Sequence, residues 1–290
     1  MTIDPGPSSP TVLITGASTG IGEACAKRFS TLGWKVFAGC RDQAADDALR
    51  AAACQPIRLD VCDDESVTCA MNEVAAQLAG DGLDYLINNA GIATTAPLEY
   101  IPMADFRQQM AVNVEGVLMV TQAALPFLRQ NTDARQARIV NIGSISGIVA
   151  YPAMGAYSAS KFALEAITDS LRMELMAHDI DVCLVQPGPV KTPIWKKSQS
   201  AGRARLNQMG PLAKQHYGGL MMAMKKSAED AEKHGVAVER VVAAVEHALT
   251  ARRPRTRYVV GNGIRQILWL ARLIGDRRRD RILMKKLGTD

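Results

Sequence analysis

The 290-residue chain is 48% hydrophobic and carries 34 Lys and Arg against 29 Asp and Glu, a net charge of +5. So much apolar material excludes a disordered chain and allows the large buried core of one α/β domain. Twelve of the basic residues lie between Ala251 and the end, against three Asp. The body is therefore mildly acidic, and a nucleic-acid-binding face is excluded everywhere but the tail.

Residues 1–10, with Pro5, Pro7 and Pro10, read as a flexible arm without a charged-then-apolar leader. Beyond it, short β-branched and apolar runs recur: "TVLIT" (11–15), "KVFAGC" (35–40), "PIRL" (56–59), "DYLIN" (84–88), "RIVNI" (138–142), "DVCLVQ" (181–186) and "RYVV" (257–260). Segments of helical length and period separate most of them. Apolar strands alternating with helices predict a doubly wound parallel sheet of about seven strands, Rossmann-like, over residues 11–261. No uncharged apolar stretch approaches ~20 residues, so no membrane-spanning helix is expected. Cys25, Cys40, Cys54, Cys62, Cys69 and Cys183 contain no C-x-x-C pair, and the four histidines do not cluster. No metal site is expected, and the thiols read as reduced, packed side chains of a cytoplasmic protein.

The chemistry-bearing stretches fall at strand ends. "TGASTGIG" (15–22) follows the first strand and opens a helix. Gly16, Gly20 and Gly22 let backbone N–H groups approach a pyrophosphate, and the helix N-terminus adds partial positive charge. The second strand ends in Cys40, Arg41 and Asp42. An acidic side chain there would hold a ribose 2′-hydroxyl and an Arg a 2′-phosphate. Asn113 sits inside a long helical segment, where Asn is a poor helix former; it marks either a surface accident or a kink with a bound water. In "NIGSISG" (141–147), Ser144 ends the fifth strand and can donate a hydrogen bond to a substrate oxygen. "YSASK" puts Tyr157 and Lys161 at i and i+4 on one helix face, near a helix start set by Pro152 and Gly155. A cation one turn away and the helix N-terminus both favour phenolate. A Tyr157 pKa below the usual value of about 10 is expected, and with it a proton donor usable at neutral pH.

Two later segments break the alternation. Residues 193–235, rich in Met, Gly and Lys ("GGLMMAMKK"), form a long insertion before the last strand and read as a mobile lid over an apolar pocket, a surface helical excursion being the plain alternative. Residues 262–290 read as two basic amphipathic helices. One has an apolar face of Ile264, Ile267, Leu268, Ala271 and Ile274, and the other a patch of Ile282, Leu283 and Leu287. Their arginines could face anionic lipid, giving peripheral membrane contact; a solvated face or a subunit contact is the plain alternative.

Taken together and in order, Gly16, Gly20 and Gly22, "NNAG" at Asn88–Gly91, Asn113, Ser144, Tyr157, Lys161 and "PGPVKT" at Pro187–Thr192 resemble a classical short-chain dehydrogenase/reductase. "VFAGCRD", "YSASKFALEAITDSL" and "PGPVKT" are most similar to the branch holding the 17β-hydroxysteroid and retinol dehydrogenases. The resemblance implies an oxidoreductase in which Tyr157 exchanges a proton with the substrate oxygen and Ser144 orients that oxygen. Lys161 would bind the nicotinamide ribose and lower the Tyr157 pKa, and Asn113 would hold a water in a relay to Lys161. For the cofactor it implies Ser18, Thr19 and Ile21 beside the three glycines, Arg41 at the second strand end, and Asp60 with Val61 at the adenine. Asn89, Ala90 and Gly91 would line the nucleotide groove, and Pro187, Gly188, Val190 and Thr192 the nicotinamide end.

Arg41 favours NADP(H), while Asp42 leaves NAD(H) open. The branch resemblance implies a hydrophobic alcohol or carbonyl substrate (steroid, retinoid or lipid-like). It also implies a homodimer or homotetramer formed through the helices of 103–130 and 155–177. No nucleic-acid partner is expected. A catalytically silent nucleotide sensor would show a gap among Asn113, Ser144, Tyr157 and Lys161, and the sequence has none.

Overall fold

The fold is described from a computed structural model over residues 9–130, 136–192, 210–264, 266 and 274–288. The seven expected runs form β1 (Thr11–Ile14), β2 (Lys35–Cys40), β3 (Gln55–Arg58), β4 (Tyr85–Asn88), β5 (Arg138–Ile142), β6 (Asp181–Pro187) and β7 (Arg257–Val260). Each begins and ends within one residue of its expected bounds. They make one sheet in the order 3-2-1-4-5-6-7, and every neighbouring pair is parallel. The order reverses between β1 and β4, which opens a crevice at their carboxyl ends where ligands of such sheets bind.

The helices are α1 (Gly20–Thr31), α2 (Asp46–Ala51), α3 (Asp64–Leu78), α4 (Met103–Met110), α5 (Gly116–Arg129), α6 (Gly155–Glu174), α7 (Pro211–His234), α8 (Val238–Thr250) and α9 (Asp276–Leu287). Both faces of the sheet are covered, because alternate side chains of each strand point to opposite faces. Val12, Ile14, Val36 and Ala38 pack with α1 and α8 residues such as Phe29 and Val245. Leu13, Phe37, Leu86 and Ile139 pack with α3, α5 and α6 residues such as Val74, Val120 and Leu171. Each fully buried Leu, Ile or Phe contributes about 1.5–3 kcal/mol relative to exposure. Cys25, Cys40, Cys54 and Cys183 are buried, whereas Cys62 and Cys69 are exposed.

Between α4 and α5 the backbone forms a π turn, Ala111–Glu115, with Asn113 at its centre. Asn113 thus lies in a local backbone irregularity and is no surface accident. Gly116 follows because a side chain there would strike the Val61 carbonyl, 2.7 Å from an added Cβ. One helical segment bears on the expectation of no membrane-spanning helix. By length and composition Met103–Arg129 qualifies as a candidate membrane span, an 18-residue window within it having a mean hydropathy of 1.4. Glu115 interrupts its charge-free run, which is why a search for uncharged stretches passes over it. In the fold, Val117, Val120, Thr121, Ala124 and Leu128 of this segment are buried, and α5 lies against β4 and α3.

After β6 the chain leaves the sheet at Val190 and returns at Val236, and these two residues form a parallel bridge. Val236 N–H donates to Pro189 O at 2.8 Å and Lys191 N–H to Val236 O at 3.1 Å. The expected insertion is thus pinned at its neck. Its second half is α7, which starts with Pro211 at the first helical position behind Gly210. Its first half, 193–209, lies outside the described residues, as do residues 1–8 and, in the tail, Ile267, Leu268 and Ala271.

Candidate active site

The glycine loop is built on close approach. Gly16 and Gly20 adopt φ of 65° and 66°, a region that costs other residues roughly 1–2 kcal/mol. A Cβ on Gly16 would lie 2.8 Å from Ala90 Cα. One on Gly22 would overlap Gly16 O and Asn89 Nδ2. Asn89 fixes the loop, donating from Nδ2 to Thr15 O at 2.9 Å and Gly16 O at 3.0 Å. Thr15 Oγ1 in turn accepts from the N–H groups of Asn89 and Ala90. Thr19, exposed at the N-cap of α1, makes no side-chain cap bond. The first N–H groups of α1, flanked by Ser18 and Ile21, are left for an anion. These residues fit a dinucleotide pyrophosphate.

At the β2 end, Cys40 is buried rather than displayed, and Arg41 and Asp42 are exposed. Cys40 faces Arg58 in the β2–β3 register. The Arg58 guanidinium bonds Asp46 at 2.7 Å and reaches the Cys40 carbonyl at 3.5 Å. A second cation therefore stands at this strand end, and the neighbouring acidic side chain is already paired. Burial pushes the Cys62 thiol up; Asp60 adds to the effect and Arg41 opposes it, so both lie within electrostatic reach of that thiol. Asp60 Oδ1 accepts from Cys62 N–H at 3.0 Å. Val61 is buried, packed on Gly116.

Ser144, Tyr157 and Lys161 converge beyond β5. Ser144 caps a short 3-10 turn, its Oγ accepting from Ser146 N–H at 3.1 Å. Its hydroxyl also lies close enough to the Tyr157 phenol to oppose, in part, the rise in that phenol's pKa. Lys161 is 6% exposed. Its Nζ donates to Ile142 O at 2.7 Å and lies 5.8 Å from the centre of the Tyr157 ring. Burial lowers Lys161 to about 8.

The expected depression of the Tyr157 pKa is not what this site shows. Burial pushes the half-buried phenol above its usual value, and the neighbouring Ser144 hydroxyl only partly offsets that. Desolvation penalises the phenolate, and the Lys161 ammonium is turned to a backbone carbonyl.

Asn113 is 1% exposed. Its Oδ1 accepts from Ile92 N–H at 2.9 Å, and its Nδ2 donates to Ile92 O at 3.0 Å and Ser160 Oγ at 3.1 Å. Ser160 Oγ donates to Tyr157 O at 2.7 Å. The π turn is thus tied to the helix that carries Tyr157 and Lys161. Gly91 adjoins this contact, and an added Cβ there would meet Asn113 Oδ1 at an ordinary 3.5 Å.

Three supporting residues escape sequence reading: Arg58, Ser160 and Gln109. The buried Gln109 donates to Ile92 O and accepts from Thr94 N–H, both at 2.8 Å. Its signal was available, because it lies one turn before Asn113 on the same helix face. Beneath the site, Asn88 Nδ2 donates to Thr121 Oγ1 and Asn141 Oδ1, and Asn141 Nδ2 to Thr168 Oγ1, each at 2.9 Å.

Of the nicotinamide-end residues, Pro187 closes β6 and Gly188 N–H donates to Val260 O at 2.8 Å. The Ile264 side chain lies against Gly188, so the C-terminal extension begins over this end of the crevice. Val190 is buried in the bridge to Val236, and Thr192 is half-buried at its rim. On the opposite rim, Ala213 of α7 packs on Ala96, Tyr100 and Ile101, and Tyr217 donates to Glu99 at 2.7 Å. Leu98 from the same loop sits against Gly155, two residues before Tyr157.

The sequence profile described as short chain dehydrogenase matches residues 10–202. The chain is 35% identical over 281 residues to an NADPH-dependent 3-dehydrocapnine reductase of Ornithobacterium rhinotracheale, covering 95% of this chain and 96% of that one. It is 34% identical over 275 residues to human retinol dehydrogenase 5, covering 91% and 84%. A Burkholderia phymatum short chain dehydrogenase/reductase solved in complex with NAD superposes with a TM-score of 0.77 at 26% identity, over 92% and 94% of the chains. With this sheet order, this glycine loop and these relatives, the chain belongs to the short-chain dehydrogenase family of NAD(P)-dependent oxidoreductases, on the side of the retinol dehydrogenases.

Proposed function

We propose that the chain interconverts a hydrophobic alcohol and its carbonyl with NADP(H), using Ser144, Tyr157 and Lys161 as the catalytic set and Asn113 to hold it. The observation that carries this reading is the Ser144–Tyr157 hydroxyl pair with Lys161 Nζ below the ring. When bound, the nicotinamide supplies hydride transfer. This chain's residues manage the oxygen. Ser144 donates to it and fixes its position. Tyr157 delivers a proton as alkoxide charge develops, and the raised phenol pKa keeps that proton in place beforehand. Lys161, held at Ile142 O in this structure, is one turn from Tyr157 and supplies positive charge below about pH 8.

NADP(H) is favoured by the exposed Arg41 and by Asp46 being paired to Arg58; the 3-dehydrocapnine reductase, named as NADPH-dependent, points the same way. A hydrophobic substrate is favoured by the exposed Leu98, Leu212 and Met222 around α7 and its docking loop, and by the retinol dehydrogenase relatives. Self-association is assigned to α5 and α6, which expose Leu118, Phe162 and Met173. Tyr157→Phe tests the catalytic reading. Turnover of a carbonyl panel with NADPH falls by at least about 1000-fold, within the range of acid catalysis, while the NADPH dissociation constant stays within about two-fold. Retained turnover removes Tyr157 from the mechanism.

A further inference from the structure

Helix α9 lies against α7, and its two sides differ. At 3.6 residues per turn, Arg279, Leu283, Met284 and Leu287 fall on one half and are half-buried. Arg279 pairs with Asp276 at 3.0 Å and with Asp280 at 3.5 Å, which takes up both acidic groups of the helix. The other half carries Arg277, Arg278, Arg281, Ile282, Lys285 and Lys286, all exposed. Among the described residues, the ion pairs of this helix are only those two of Arg279.

An arc of five cations repels itself unless an anionic surface faces it. The protein's own body is mildly acidic, so the arc stands out in charge from the residues before Ala251. Ile282 stands within the arc at 56% exposure, where a solvated helix would carry a polar group. A protruding aliphatic side chain among Lys and Arg matches the boundary between headgroups and acyl chains of an anionic bilayer. A nucleic acid would satisfy the charges and leave the aliphatic group in water.

We propose that α9 docks this protein on anionic lipid, Ile282 entering the interface while the basic arc lies at the headgroups. The proposal rests on residues outside the catalytic set and stands apart from the substrate assignment.

The test is co-sedimentation of the full chain with phosphatidylcholine vesicles, with and without phosphatidylglycerol, at physiological and high salt. Binding is expected only with phosphatidylglycerol and is lost at high salt. The triple variant Arg277→Gln, Arg281→Gln and Lys285→Gln weakens it by about 100-fold, at roughly five-fold per charge near an anionic surface. Ile282→Ser weakens it with the salt dependence unchanged. Unchanged turnover and melting temperature in both variants show that the fold survives. Absence of binding to anionic vesicles, or equal binding by the triple variant, overturns the proposal. So does tighter salt-sensitive binding to duplex DNA or RNA than to vesicles, and so does a change of oligomeric order in the triple variant without lipid.

Discussion

Asn113→Asp exchanges one atom and removes the donor that joins three segments. Asn113 Nδ2 gives two hydrogen bonds, to Ile92 O and Ser160 Oγ, while Oδ1 takes one from Ile92 N–H. In the aspartate, an oxygen replaces Nδ2 and faces the Ile92 carbonyl with no proton between them. Two bonds worth about 1 kcal/mol each are lost, and an unsatisfied buried group adds about 1–3 kcal/mol. With the site 1% exposed, the total is about 3–5 kcal/mol, a large share of a typical 5–15 kcal/mol stability. Burial raises the new carboxyl above the ordinary Asp pKa. Its unfolded form is then the more acidic, so the deficit is full at neutral pH and shrinks as pH falls and a proton restores the donor. Urea unfolding at neutral and mildly acidic pH measures this, with Asn113→Ala as a comparison that does not respond to pH. In the folded fraction, kcat drops while the cofactor dissociation constant holds, since Ser160 passes the disturbance to Tyr157. A neutral-pH deficit below about 1 kcal/mol, or one that acid does not relieve, refutes the bridging role.

The remaining predictions concern charge and contact. Because kcat/KM for the cofactor reports groups of the free enzyme, it falls as pH rises through about 8, where Lys161 loses its proton; a flat profile well past that value removes the ammonium from the mechanism. The same lowered pKa means that the unfolded chain binds the proton more tightly, so stability climbs between about pH 8 and the usual lysine range. Lys161→Met abolishes that climb in urea midpoints. Arg41→Ala weakens NADPH by about 10–100-fold relative to NADH, the worth of a charged hydrogen bond, and Asp46→Asn strengthens NADPH by freeing Arg58; equal effects on both cofactors in a fluorescence titration reject this strand-end reading. Phe162→Glu on the exposed flank of α6 lowers the oligomeric order in sedimentation velocity if α5 and α6 form the subunit contact.

The sheet was legible because strands buried on both faces must be written in apolar residues throughout. "TVLIT", "KVFAGC" and "RIVNI" have no other use. The glycine positions were legible for a related reason: a backbone that passes Ala90 at 2.8 Å from an added Cβ tolerates no side chain at Gly16. Illegible features depend on distant partners. Ser160 looks like a surface serine of "YSASK" until the π turn places Asn113 against it. Arg58 looks like an edge-strand charge until β3 registers it opposite Cys40. The Tyr157 pKa was read with the wrong sign because sequence spacing reveals a nearby cation but not the loss of water around the ring.

The bridge between Val190 and Val236 has a consequence for how this catalyst can change. Chain between two pinned points is released from the sheet, and lengthening it costs only a term logarithmic in its length. The segment read as a substrate lid is strung between those points, while Ser144 stands just beyond β5 and Tyr157 on α6, outside it. If that segment holds the substrate, the neck is a socket: residues 191–235 are then exchangeable as one cassette, altering which molecule is held without retuning the chemistry. A chimera that receives the corresponding segment of another family member should inherit its preference and keep this chain's pH profile.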